Sequence, residues 1–283
     1  MLKVIKAGFY TTIQDAGRFG YRNKGVPISG VMDNEAYNKV NGLLENPLST
    51  PILEITMMGP ELVFTQPTFI CLGGADLSAQ LNKVSITNYK IYKVNDGDTL
   101  RFGKLNSGLR CYLGVKNGFN TEIVLNSASQ YAPLTMAVKL EKGDVLNYGA
   151  INSFQPKISE LKAKENYAKE TLLVDRGPEF DLLNDYQLAQ LFSKQFTIAK
   201  ENNRMAYQLH ELLVGHNTSI LTAATQPGTV QFTPAGRLII LMKDGQTTGG
   251  YPRILQLRPE AIALLAQKKH QDKLHFKLAD TVF

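Results

Sequence analysis

The sequence predicts a mainly β protein with a few covering helices, and three features of the chain support this. Short runs rich in β-branched and aromatic residues recur along most of the 283 residues, separated by Gly, Asn, Asp and Pro at spacings typical of barrels and sandwiches. Residues 238–242 form a continuous apolar run, as expected of a strand buried on both faces. Helical periodicity is confined to three segments.

The predicted strands are short and end at turn-forming residues. They comprise residues 4–6, 52–56, 61–65, 68–72, 84–87, 90–94, 99–102, 110–115, 172–174, 197–199, 228–232, 238–242 and 254–257. The first predicted helix spans residues 34–44, with Asp33 as its N-cap. A second helix lies near residues 179–192, and a third begins at Pro259, because proline is favourable in a first helical turn.

Two domains are predicted, because 283 residues are enough to build two separate hydrophobic cores. We expect an N-terminal β-rich subdomain over residues 1–155 and a C-terminal subdomain over residues 170–283. The polar segment 153–169, which has several Lys and Glu residues and few large apolar ones, is the predicted linker.

Composition excludes several classes of protein. No run approaches the ~18 apolar residues of a membrane span, and the N-terminus lacks a signal-peptide pattern, so a cytoplasmic protein without membrane contact is expected. The net charge of +6 comes from scattered basic residues, which argues against a nucleic-acid surface. Cys71 and Cys111 lie in separate apolar runs and are predicted to be buried free thiols. His210 and His216 are six residues apart, which does not fit a helical zinc motif, so no metal site is expected.

Two segments resemble known cofactor motifs but lack the residues that define them. Residues 25–30 have the glycine spacing of a phosphate loop, but Val31 and Met32 replace the Lys and Ser/Thr that would contact phosphate and magnesium. Met242 and Lys243 resemble the biotin-carrying pair, but their flanking residues differ and they end a buried strand. Any biotin is therefore expected to arrive on another protein.

A polar loop follows the buried run 238–242 and forms the first candidate site. Gln246, Thr247, Thr248 and Tyr251 supply carboxamide and hydroxyl groups, and two glycines follow Thr248. Such groups match the donors and acceptors of a planar amide without adding charge. The alternative is that they satisfy the backbone of their own loop. We favour contact with a substrate or a partner, because several polar groups converge in one short segment.

The N-terminal segment 11–33 is the second candidate site. It is rich in glycine and poor in core-forming residues, and we expect a long functional loop that carries Gln14, Asp15, Arg18, Ser29 and Asp33. Asp33 caps the following helix in preference to a catalytic role. Asp15 and Arg18 either pair with each other or bind a ligand. Ser29 has no histidine nearby in the sequence, so it suits ligand hydrogen bonding better than nucleophilic attack.

The chain resembles the KipA family, also called allophanate hydrolase subunit 2, which includes the C subunit of 5-oxoprolinase and the second half of the urea carboxylase carboxyltransferase domain. The motifs that carry the resemblance follow one another in order along nearly the whole chain. They are Gln14-Asp15-x-Gly17-Arg18-x-Gly20-Tyr21, Gly25-x-Pro27-x-Ser29-Gly30-x-Met32-Asp33, Leu53-Glu54-Ile55, Leu72-Gly73-Gly74-Ala75-Asp76, Arg110-Cys111-Tyr112-Leu113-Gly114-Val115, Gly228-Thr229-Val230-Gln231 and Gln246-Thr247-Thr248-Gly249-Gly250-Tyr251-Pro252.

The resemblance implies two cyclophilin-like β-barrel subdomains and a subunit of an ATP-dependent 5-oxoprolinase. Such an enzyme hydrolyses the lactam of 5-oxo-L-proline to L-glutamate, acts with a KipI-like subunit and a third subunit, and uses ATP as a co-substrate. The chain is expected to be inactive alone. Two alternatives stay open: a carboxyltransferase component of a biotin-dependent urea or amide carboxylase, and a non-catalytic regulator that binds a KipI-like kinase inhibitor.

The resemblance also adds candidate binding residues and shows departures from the family pattern. Gln231 lies in a matched motif, and Arg204 is expected either to clamp a carboxylate or to form an interface ion pair. No catalytic residue is assigned. The departures replace residues that other members carry at these positions: Ala206, Gln208, Ala223, Leu238 and Gly245.

Overall fold

The computed structural model describes residues 1–163 and 165–279 of the chain. Its described residues are mainly β, with three α-helices, as the sequence predicts. The chain divides into two compact units. The first unit comprises Met1–Arg18 and Ser29–Glu165, and the second unit comprises Phe19–Ile28 and Asn166–Phe283. The short segment Phe19–Ile28 therefore belongs to the second unit, although it lies close to the N-terminus in the sequence.

The first unit contains twelve of the described strands. They are β1 (Leu2–Lys6), β2 (Tyr10–Gln14), β3 (Ile52–Thr56), β4 (Glu61–Phe64), β5 (Thr68–Asp76), β6 (Gln80–Leu81), β7 (Val84–Ser85), β8 (Ile91–Val94), β9 (Thr99–Arg101), β10 (Ser107–Val115), β11 (Phe119–Asn120) and β12 (Val145–Tyr148). One sheet has the order β11-β12-β1-β4-β9-β6-β7, and the other has the order β2-β3-β10-β5-β8. Apolar side chains of both sheets share one core, which includes Leu2, Phe64, Leu72 and Leu113.

Helix α1 (Asn34–Leu43) covers the five-stranded sheet of the first unit. The close approach depends on two glycines, because a Cβ at Gly73 or Gly114 would lie 2.6 or 2.7 Å from the methyl groups of Val40. Asp33 caps the helix as predicted: its carboxylate accepts a 3.0 Å hydrogen bond from the backbone amide of Ala36. Helix α1 is thus packed closely against β5 and β10.

The second unit is built around a closed barrel. Its strands are β13 (Thr171–Arg176), β14 (Phe196–Asn202), β15 (Ala206–Leu209), β16 (Ala223–Ala224), β17 (Thr229–Phe232), β18 (Leu238–Leu241), β19 (Thr248–Gly249), β20 (Arg253–Leu257) and β21 (Lys273–Leu278). The barrel has the order β13-β20-β17-β18-β15-β14-β21 and closes through parallel pairing of β21 with β13. Strands β16 and β19 form a separate two-stranded ribbon.

Two α-helices and two short 3-10 helices complete the second unit. They are α2 (Asp185–Ser193), α3 (Pro259–Ala266), Arg22–Lys24 and Phe180–Leu182. Pro259 opens α3 as predicted. Helix α2 begins later than predicted, because Asn184 and Gln187 form a capping box that sets its first turn. None of the helices among the described residues is long and apolar enough to cross a membrane.

Strands β2 and β21 are among those that were not predicted from the sequence. Strand β2 (Tyr10–Gln14) overlaps the start of the segment 11–33 that was expected to be a loop, so the loop prediction is wrong over residues 11–14. Strand β21 (Lys273–Leu278) alternates polar residues with the buried Leu274 and Phe276, which is a strand pattern that the prediction overlooked.

Candidate functional site

The candidate residues fall into two groups, and each group belongs to one unit. The first unit carries Gln14, Asp15, Arg18, Ser29 and Asp33, all of which are buried. The second unit carries Arg204, Gln231, Gln246, Thr247, Thr248 and Tyr251.

Asp15 and Arg18 fasten the end of β2 to residues 124–130. The Asp15 carboxylate accepts hydrogen bonds from the hydroxyls of Ser127 (2.7 Å) and Ser129 (2.6 Å) and from the backbone amide of Ala128 (2.7 Å). The Arg18 guanidinium donates to the carbonyl oxygens of Val124 and Ser129, each at 2.9 Å. Both side chains therefore hold the same segment. These charge-assisted bonds stabilise the fold in this region.

Gln14, the last residue of β2, also binds the segment of residues 124–130. Its amide nitrogen donates to the Thr12 hydroxyl at 3.1 Å and to the carbonyl of Gln130 at 3.2 Å. The Gln130 side chain returns a contact, because its oxygen accepts from the backbone amide of Ile13 at 3.0 Å. The polar residues of β2 are thus buried against specific partners, which explains how a strand with so few apolar residues is stable.

Ser29 and Gly30 form a strained turn that is packed against the loop after β2. Ser29 is fully buried with a backbone φ of 54°, a left-handed conformation that is uncommon for a residue with a side chain. Among the described residues its hydroxyl has no hydrogen-bond partner. A Cβ at Gly30 would lie 2.8 Å from the Cα of Gly17, so the two glycine-rich segments touch through their backbones.

A buried polar network lies next to this turn, and Glu54, Arg110 and Tyr112 in it are not among the predicted site residues. The carboxylate of Glu54 accepts hydrogen bonds from the backbone amide of Met32 at 2.7 Å and from the hydroxyl of Tyr112 at 3.0 Å. The guanidinium of Arg110 lies 3.8 Å from the same carboxylate. Burial raises the pKa of Tyr112 well above its ordinary value, and the nearby charges of Glu54 and Asp33 raise it further.

Some of the residues that were not predicted could have been recognised from the sequence, and others could not. Glu54 and Arg110 each stand inside an otherwise apolar strand, and a charge at such a position is a sign of a buried network. Ser127 and Ser129 lie in a segment without any pattern, and only the folded chain shows that they bind Asp15.

The backbone carbonyls of the polar loop in the second unit are bound by Thr225. The Thr225 amide donates to the carbonyl of Thr247 at 3.0 Å, and the Thr225 hydroxyl donates to the carbonyl of Gln246. The Arg22 guanidinium, from the 3-10 helix Arg22–Lys24, donates to the carbonyl of Thr225. The side chain of Tyr251 is 42% exposed at the end of the loop.

Gln231 differs from the other candidates in the second unit because its buried carboxamide is only partly hydrogen-bonded. It lies on β17 and is only 1% exposed, yet among the described residues its amide nitrogen has no hydrogen-bond acceptor. The Gln246 amide nitrogen lies 3.4 Å from its oxygen. A Cβ at Gly249 would lie 2.3 Å from the Gln231 amide nitrogen, so glycine at this position leaves room for the carboxamide.

Arg204 forms a two-point ion pair inside its own unit. Its Nε and Nη2 atoms lie 2.8 and 3.2 Å from the two carboxylate oxygens of Asp244, and both side chains are buried. This pair joins the turn before β15 to the turn after β18, where the polar loop begins. The charge of Arg204 is already matched by Asp244.

Neither the thiols nor the possible metal ligands among the described residues are arranged as a reactive site. Cys71 and Cys111 are buried free thiols, as predicted, and burial raises the pKa of Cys71 to about 12. Within residues 1–163 and 165–279, no three His, Cys, Asp or Glu side chains are grouped as metal ligands would be.

Comparison with known proteins gives a consistent result. The family described as carboxyltransferase domain, subdomain A and B, matches residues 24–278. The chain is 30% identical to the C subunit of the 5-oxoprolinase of Escherichia coli (strain K12), over 98% of this chain and 90% of that protein. The crystal structure of TTHA0988 is 27% identical with a TM-score of 0.87, and the match covers 98% of this chain but 55% of that one.

A second solved structure extends the similarity to a larger enzyme. The Kluyveromyces lactis urea carboxylase is 26% identical with a TM-score of 0.86, and the match covers 97% of this chain and 27% of that one. The family resemblance noted in the sequence is thereby confirmed, and the chain belongs to the family of the carboxyltransferase domain, subdomains A and B.

Proposed function

We propose that the chain is a subunit of an ATP-dependent 5-oxoprolinase that hydrolyses the lactam of 5-oxo-L-proline to L-glutamate. In this proposal it acts with a KipI-like subunit and a third subunit in the cytoplasm. The near full-length similarity to an E. coli protein named as the C subunit of 5-oxoprolinase supports the reaction class. Membership of the family does not by itself identify the residues that contact the substrate.

The observation that carries the proposal is the buried Gln231 carboxamide, whose amide nitrogen has no acceptor among the described residues. A buried donor without an acceptor costs about 1–3 kcal/mol, and a ligand that supplies an acceptor would remove this cost. The carbonyl oxygen of a lactam is a neutral acceptor of the required kind. Gln246, whose amide nitrogen lies 3.4 Å from the Gln231 oxygen, provides a second carboxamide at the same place.

The chemistry required of these residues is positioning and charge stabilisation. Hydrolysis forms a bond between a water oxygen and the lactam carbon and breaks the bond from that carbon to nitrogen, which leaves as the amine of glutamate. In the ATP-dependent reaction the carbonyl oxygen is phosphorylated first, so negative charge is carried by the oxygen and its phosphoryl group as the water attacks. The amide donor of Gln231 stabilises that charge more strongly than it stabilises the neutral carbonyl.

As a co-substrate, ATP phosphorylates the lactam oxygen and is released as ADP. Opening of the ring then leaves an acyl phosphate of glutamate, from which a second water releases phosphate. We assign the binding of ATP to another subunit. Val31 and Met32 occupy the positions where a phosphate loop would carry its Lys and Ser/Thr, and both are buried in the first unit. The residues of this segment therefore do not fit a phosphate site. We propose a composite active site and no turnover by the chain alone.

Reconstitution tests the proposal. Purified chain is mixed with ATP and 5-oxoproline, with and without the other subunits, and the glutamate that is released is measured. We expect ATP-dependent glutamate release by the assembled subunits only. Full turnover by the chain alone would refute the composite site, and the absence of glutamate in every combination, together with tight binding to a partner, would favour a regulatory role.

A carboxyltransferase function is the second candidate, because the fold matches the Kluyveromyces lactis urea carboxylase over 97% of this chain. Lys243 is only 8% exposed and follows the fully buried Met242, which makes it unsuitable as a site of biotin attachment. This candidate therefore requires a biotin carrier on another protein. Avidin-sensitive carboxylation of urea or another amide would support it and would argue against lactam hydrolysis.

A further inference from the structure

The barrel unit contains a cavity that is lined in part by Thr229 of β17, the strand that also carries Gln231. Its volume is about 370 Å³, and it is bordered by the end of β13, by β20 and by residues 224–229. Pro178, Ala224 and Leu255 give it an apolar wall. The remaining wall is polar and includes two arginines, Arg176 and Arg253. A cavity of this size suits a small molecule with both an apolar body and a polar group.

Most of the polar side chains in the wall already have partners within the unit. The Thr229 hydroxyl donates to the Gln256 oxygen at 3.0 Å, and the Gln256 amide donates to the carbonyl of Pro227 at 2.9 Å. The Arg253 guanidinium forms a two-point ion pair with Glu179, at 2.8 and 2.6 Å. These bonds fix the shape of the wall before any ligand arrives.

Two side chains in the wall differ from the rest. Arg176 has no carboxylate within ion-pair distance among the residues that the structure describes, and its guanidinium carbon lies over the ring of Phe180, 4.9 Å from the ring centroid. Gln226 is exposed to the cavity, and its carboxamide makes no hydrogen bond to any described residue. Stacking on an aromatic ring uses a face of the guanidinium and leaves its in-plane N–H donors available.

The charge balance of the cavity identifies the ligand that it suits. Arg253 is matched by Glu179, and Asp175 is matched by Arg258 at 2.9 Å. Arg176 therefore contributes one unmatched positive charge. A single guanidinium is complementary to one carboxylate, which it can bind through two parallel hydrogen bonds. A nucleotide or polyphosphate carries more negative charge than this wall can match.

We infer that this cavity binds a small monocarboxylate. The carboxylate pairs with Arg176 and accepts a further hydrogen bond from the Gln226 amide, while the carbon skeleton packs against Pro178 and Leu255. This assignment rests on the proposed function, because 5-oxoproline is a five-membered lactam that carries one carboxylate, whereas urea carries none. Arg176 is thus a specificity residue that selects acids over neutral amides.

Ligand titration of the full-length chain, followed by NMR, tests the inference. The probes are cyclopentanecarboxylate, 2-pyrrolidinone and inorganic phosphate, which separate the acid, the lactam and a competing anion. Arg176→Gln is expected to raise the Kd for cyclopentanecarboxylate about tenfold or more, with no effect on 2-pyrrolidinone. Arg176→Lys keeps the charge and is expected to retain part of the affinity. Arg101→Gln, an exposed arginine that lines no part of this cavity, is the matched control.

The possible outcomes separate this inference from the proposed function. An unchanged Kd for cyclopentanecarboxylate in Arg176→Gln, no binding of that acid by the wild-type chain, or tighter binding of phosphate would each overturn the inference. Binding of the acid through Arg176 together with no binding of 2-pyrrolidinone would support the inference. The same result would count against the lactam contact at Gln231.

Discussion

The hydroxyl of Tyr112 donates a 3.0 Å hydrogen bond to the carboxylate of Glu54, and both side chains are buried in the first unit. The same hydroxyl accepts a 2.9 Å hydrogen bond from the backbone amide of Asp33, the residue that caps α1. Because burial holds the pKa of Tyr112 well above its ordinary value, the phenol keeps its proton and remains a donor at physiological pH. The turn before α1 is therefore fixed by a buried network of strand residues.

Replacing Tyr112 with Phe is expected to lower the free energy of unfolding by about 2–3 kcal/mol. The change removes one donor from the buried carboxylate of Glu54 and the acceptor of the Asp33 amide. Urea denaturation measures the effect. Tyr186→Phe is the control, because Tyr186 is 63% exposed and should change stability by less than about 0.5 kcal/mol. Equal stability of the two variants would show that the network contributes nothing.

Replacing Asp244 with Asn is expected to destabilise the second unit by about 3–5 kcal/mol, because it leaves the guanidinium of Arg204 buried without its counter-charge. Thermal or urea unfolding measures the loss. Asp175→Asn removes a similar carboxylate from the exposed pair with Arg258 and should cost no more than about 1 kcal/mol. If the two variants lose the same amount, the Arg204–Asp244 pair is not the support that its burial indicates.

The ion pair of Glu179 and Arg253 predicts a loss of stability in acid. Hydrogen bonding to Arg253 lowers the pKa of the Glu179 carboxyl below its ordinary value. A carboxyl with a lowered pKa in the folded state stabilises that state above its unfolded pKa of about 4.3, and this contribution is lost as the pH falls through the folded value. Glu179→Gln should therefore be less stable than wild type near neutral pH, and the difference should shrink below about pH 4. The exposed Glu122→Gln is the control, and a gap between wild type and Glu179→Gln that does not vary with pH would contradict the prediction.

The sequence predicts those parts of the structure that depend on local signals. An acidic N-cap before an apolar stripe is enough to place Asp33 at the start of α1, and a proline is enough to place the start of α3. Strand Ile52–Thr56 is predicted with its observed bounds, because its apolar run ends at turn residues.

Features that depend on distant contacts were not predictable in the same way. Strand β2 has the composition of a polar loop. Its polar side chains are buried because they have hydrogen-bond partners, and one of these, Gln130, lies 116 positions after Gln14 in the chain. The roles of Ser127 and Ser129 are hidden for the same reason. In the candidate site, the polar loop after β18 is recognisable from its residue types, but the room that Gly249 leaves for Gln231 appears only in the folded barrel.

Replacing Gly249 with Ala is expected to leave the fold intact and to impair the enzyme. The added Cβ would lie 2.3 Å from the Gln231 amide nitrogen, which is the far end of a flexible side chain and can move aside. The unfolding temperature should therefore change little, while kcat/KM of the assembled enzyme for 5-oxoproline falls about tenfold. Gly250→Ala is the matched control, since nothing lies within 4 Å of its added Cβ. Equal activity of the two variants would argue against a role for the Gln231 carboxamide.

The most direct test of the central claim is kcat/KM for ATP-dependent glutamate release from 5-oxoproline, measured on the assembled subunits with the wild-type chain and with Gln231→Met. Methionine has a similar size but lacks the amide donor, so the variant removes the proposed hydrogen bond to the lactam oxygen without opening a cavity. We expect the assembly with the wild-type chain to turn over. The variant chain should unfold at the same temperature as the wild-type chain, and its kcat/KM should be lower by about tenfold or more. Equal kcat/KM for the two chains, in an assembly that turns over, would contradict the assignment of Gln231 to the lactam.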